Sequence, residues 1–127
     1  MENKMHLTDL HEERRNWLNI LLFTIDEMDS MRNRLSEIVL ANNKSETTAQ
    51  AEHFQNQFIL QRNVLDILRH DINETEIEMA KQIEANPVAT DRKTAPDHAS
   101  LRERMDTFER LFNELKQEFN TFAAKTL

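Results

Sequence analysis

A chain of 127 residues with a net charge of −7 suits a single domain, and its acidic surface opposes nucleic-acid phosphates and anionic lipid. It contains no cysteine and no glycine, which removes disulfides, thiolate chemistry and glycine-rich phosphate loops. Without glycine a chain makes few tight turns, and this one is rich in Glu, Lys, Arg, Gln and Leu, so long helices with few connections are expected.

The spacing predicts a first helix over about 9–42. Asp9 and Glu12 fit a capping box at its start. Apolar residues then recur at gaps of three and four through Leu7, Leu10, Trp17, Leu21, Met28, Met31, Leu35 and Ile38, interrupted by Arg14 and Thr24. Asn42-Asn43-Lys44-Ser45 is the stop signal, since asparagine tolerates the left-handed conformation that ends helices. The opening residues lack the apolar core of a signal peptide. The longest apolar stretch, Trp17 to Ile25, is about half of a membrane span. A soluble cytoplasmic protein without a membrane partner is expected.

A second helix follows over about 46–85, with Ala51, Phe54, Phe58, Gln61, Leu65, Leu68, Ile72, Thr75, Met79 and Gln82 in series. Asn86-Pro87 should end it, because proline pushes the preceding residue out of the α region. Residues 86–97 have no apolar period and read as a loop. A third helix is predicted over about 98–125, started by Ser100 and Glu103 as a second capping box. It carries the most regular series: Leu101, Met105, Phe108, Phe112, Leu115, Phe119 and Phe122.

These seams imply an all-α fold, an elongated antiparallel up-down-up bundle of three long helices with coiled-coil-like packing. In outline the arrangement resembles a spectrin-type three-helix repeat, with Trp17 on the seam of the first helix. The likeness is one of architecture, not of function.

The middle of the first helix is more apolar than a seam requires. Between Trp17 and Ile25 all residues except Asn19 and Thr24 are apolar, and they point around the whole helix. Folding the first two helices about Lys44 sets residue 20 opposite residue 68, where Leu60, Val64 and Ile67 widen the second helix's apolar face. Leu111 and Phe112 arrive at the same level. This apolar waist is either a thicker core, a self-association patch or a groove for another protein's helix. The reading adopted is a homodimer interface of Trp17, Leu18, Ile20, Leu22, Phe23 and Ile25 with Leu60, Val64 and Ile67 across from them.

The alternative is a metal protein. Asp66, His70 and Glu74 are spaced four apart on one helical face, His53 pairs with Gln57, and His11 can approach the region of Glu74. Inward-facing histidines and carboxylates would make the bundle resemble a hemerythrin-like or ferritin-like diiron protein. The chain departs from both patterns, having neither a Glu-x-x-His nor a His-x-x-x-His pair. His70 also falls opposite the seam, which favours a solvated face, and His6 and His98 lie near one end. No cofactor and no enzymatic activity are expected.

Overall fold

The computed structural model describes the backbone of residues 2–85 and 87–126 and the side chains of residues 7–85 and 97–126. Three helices account for it: α1 (Glu2–Ala41), α2 (Ser45–Ala85) and α3 (Pro87–Thr126), each packed against both others, with no strand among the described residues. Lengths of 40, 41 and 40 residues correspond to rods of roughly 60 Å.

Two boundaries differ from the sequence expectation. α1 starts at Glu2 and not near Asp9, so Asp9 and Glu12 lie within the helix and do not cap it. The expected loop over 86–97 is helical from Pro87 onward, Asn86 lying outside the described residues. Proline at the first position of a helix is not a breaker, because its missing N–H would have no partner there anyway. Lack of an apolar period removed the sequence signal without removing the helix.

The turn between α1 and α2 is made without left-handed backbone, since no described residue has positive φ. Asparagine acts there through its side chain. Asn42 Nδ2 donates to the Ile38 carbonyl at 2.8 Å, satisfying one of the acceptors that a helix C-terminus leaves open. Thr48 N donates to Lys44 O at 3.0 Å and starts α2.

Every predicted apolar seam residue with a described side chain is buried. Large aromatic rings fill the end near the α1–α2 turn, where Phe54, Phe58, Phe119 and Phe122 meet with ring centroids 5.0 to 6.4 Å apart. Burying such a side chain stabilises by about 2–3 kcal/mol relative to leaving it exposed. Cross-helix ion pairs define the register. Arg14 meets Glu76, and Arg62 lies 3.9 Å from Asp29, so α1 and α2 are antiparallel. Glu13 meets Arg102 and Glu27 meets Lys116 at 2.6 Å, so α1 and α3 are parallel. Residue 20 therefore faces about residue 70, two positions beyond the fold-over expected from Lys44.

Candidate functional site

The ion pairs also identify which flank of each helix faces which neighbour. On α1, Glu13 and Glu27 reach α3, and Ile20 lies midway between them at steps of seven, with Phe23 beside it. His11 and Asp29 reach α2, and Leu18, Leu22 and Ile25 follow from them at the same steps. On α2, Asp71 accepts from Arg104 of α3 at 2.8 Å, and Val64 lies one heptad earlier on that flank. Leu111, one heptad after Arg104, lines the same groove of about 320 Å³ with Val64, Gln61 and Phe108.

The residues expected to form one interface therefore separate into three groups. Leu22 faces the α1/α2 side and is 46% exposed, while Phe23 faces the α1/α3 side and is 65% exposed. Leu60, Val64 and Ile67, at 54%, 46% and 58%, border the α2/α3 side together with Leu111 at 38%. All lie at one level of the bundle. They form a belt around it and not a single patch across from α1. Leu18, Ile20 and Ile25 pack half-buried against the core. Trp17 is buried to 6% exposure and belongs to the core.

Two polar groups lie near this level. Glu109 sits level with Ile20 on the flank of α3 facing α1, half-buried, and burial pushes its carboxyl above the usual range, with Asp106 adding to the effect. Gln61, a polar seam position lining the α2/α3 groove, has a buried Oε1 with no hydrogen-bond partner. The seam threonines Thr24 and Thr75 are satisfied on their own helices. Thr24 Oγ1 donates to Ile20 O at 2.8 Å and Thr75 Oγ1 to Asp71 O at 2.9 Å.

The metal candidates are not brought together. His70 is 71% exposed, 3.3 Å from Asp71 and 3.9 Å from Glu74, on the outer face of α2. His53 is exposed with its ring edge against Phe54 at 5.3 Å. His11 pairs with Glu76 at 2.5 Å, and His6 lies outside the described side chains. Among the described residues no three histidine, cysteine or carboxylate side chains converge in a way that could hold a metal ion.

What does converge is a polar cluster that the sequence hid. Arg14 takes a seam position and is only 1% exposed. Its Nε donates to Glu76 Oε1 at 2.5 Å and its Nη1 to His98 Nδ1 at 2.9 Å. A guanidinium can only donate, so His98 Nδ1 is the acceptor and the ring proton is on Nε2. That Nε2 donates to Glu13 Oε1 at 2.5 Å, and Glu13 also accepts from Arg102 Nη2 at 2.6 Å and Nε at 3.2 Å. Trp17 stacks on the imidazole at 4.9 Å. Burial holds His98 below the ordinary histidine range against the opposing pull of Glu13, while the Arg102 hydrogen bond holds Glu13 below the ordinary carboxylate range. The cluster ties all three helices together, because each of these hydrogen bonds crosses from one helix to another. Arg14 was visible as an interruption of the seam. His98 was placed only near one end with His6, and its partners were missed because it stood at the edge of a stretch read as a loop.

No described helix is long and apolar enough to cross a membrane. No family model matches the chain, and no curated protein or solved structure matches it.

Proposed function

We propose that the chain is a non-enzymatic interaction module that associates with a second copy of itself through the apolar belt at its waist. The observation that carries this reading is the belt itself: Leu22, Phe23, Leu60, Val64, Ile67 and Leu111, 38% to 65% exposed, gather on all three helices near one level, while Val39, Leu40 and Ile77 are exposed away from it. Scattered single apolar residues are normal on a surface, whereas a concentration of them near one level supports a contact surface there. The α2/α3 side is its broadest part, where Leu60, Val64, Ile67 and Leu111 adjoin.

Light scattering coupled to size-exclusion chromatography, over a hundredfold range of concentration, tests the reading. The unaltered chain should give twice the monomer mass, and Val64→Glu with Leu111→Glu should give a folded monomer. A chain that stays monomeric throughout refutes self-association. A double variant that remains dimeric shifts the contact to the α1 side of the belt.

A further inference from the structure

Away from the waist, towards the end that holds the start of α1, the facing flanks of α1 and α2 leave an open groove of about 590 Å³. Its rim residues, Thr8 and Ala80, both carry short side chains. Leu7 and Met79, 4% and 2% exposed, make the floor, and Ile83 extends one wall. The inner end is stopped by His11, Glu76 and Arg14, which are hydrogen-bonded in a chain.

We propose that this groove binds a small, uncharged, largely apolar molecule. Apolar walls with a few polar groups gathered at one end, in a few hundred Å³, are the usual make-up of a small-molecule site. The polar end disfavours a charged ligand. The Glu76 carboxylate is matched by Arg14, and its two oxygens already accept from Arg14 Nε and His11 Nδ1, so a charged head would lose water without gaining a counter-ion. The site is separate from the belt and does not depend on self-association.

The probe is N-phenyl-1-naphthylamine, an uncharged aryl amine whose fluorescence rises in apolar surroundings. Trp17, the single tryptophan, lies one helical turn beyond Arg14 and serves as the energy-transfer donor. Titration of the full chain should saturate at one probe per chain with quenching of Trp17. Ala80→Phe, which fills the groove from an exposed rim position, should weaken binding at least tenfold while the circular dichroism and melting curve stay unchanged. Ile83→Glu, which places a charge on the wall, should do the same and keeps the test decisive if Ala80→Phe does not fold. Val64→Glu at the waist should bind as the unaltered chain does. Absence of saturation, or equal binding by both groove variants, overturns the proposal, as does a loss confined to Val64→Glu.

Discussion

Arg14→Met replaces a buried guanidinium with an apolar side chain of similar reach, and the structure sets the size of the effect. Two partners lose a donor. His98 Nδ1 is left as a buried acceptor without a partner, which costs about 1–3 kcal/mol. Glu76 loses a charge-assisted hydrogen bond, a further loss of about 1.5–3 kcal/mol in a dry site. Glu76 is 18% exposed and keeps His11, so the lower part of that range applies. Methionine recovers some apolar burial against Trp17 and its neighbours, offsetting about 1 kcal/mol. The net expectation is a loss of about 2–3 kcal/mol, or a fall in Tm of roughly 10 °C for a chain of this size. Urea unfolding followed at the helical circular dichroism band measures it directly. Arg14→Lys should fall between, because one ammonium cannot span the fork from Glu76 to His98. An Arg14→Met chain as stable as the original, or more so, would refute the reasoning, since replacing a buried ionic group by a well-packed apolar one can also be neutral or stabilising.

The same cluster makes stability depend on pH in one direction. His98 has a folded-state pKa below its unfolded value of 6.5, so the unfolded chain takes up the proton first and stability is lost as pH falls below 6.5. Glu13, lowered from 4.5, adds a second loss below that value, so both groups favour the folded state above their unfolded pKa values. Tm measured from pH 8 to pH 5 should decline, and His98→Gln, which can accept from Arg14 and donate to Glu13 without titrating, should flatten the decline above pH 5; an equal slope in both chains would remove His98 as its cause. Gln61→Leu should raise stability by about 1 kcal/mol in urea unfolding, because it removes a buried acceptor that has no partner. A loss of stability instead would mean that Gln61 Oε1 is satisfied in solution, by water or by a second chain.

The all-α class and the three seams were written in the residue pattern, because a helix that buries one stripe must repeat apolar side chains every three or four residues. Leu21, Phe58, Leu65, Ile72 and Phe119 are fully buried for that local reason. The excess of apolar residues at the waist was legible for the same reason. How the excess divides was decided by tertiary structure alone. Leu22 and Phe23 are neighbours in sequence, yet the helix turns about 100° between them and sends them to different grooves. Leu60, Val64 and Ile67 then face α3 because the register places Asp71 against Arg104. The Arg14 cluster was the least visible, since a buried cation looks like an error in a seam until its partners are known. Those partners lie 62 and 84 residues away, at Glu76 and His98, and only packing all three helices together brings them within hydrogen-bond distance. Local periodicity reports which face of a helix is buried, whereas the pairing of polar groups inside depends on register and rotation between helices, which no single segment encodes.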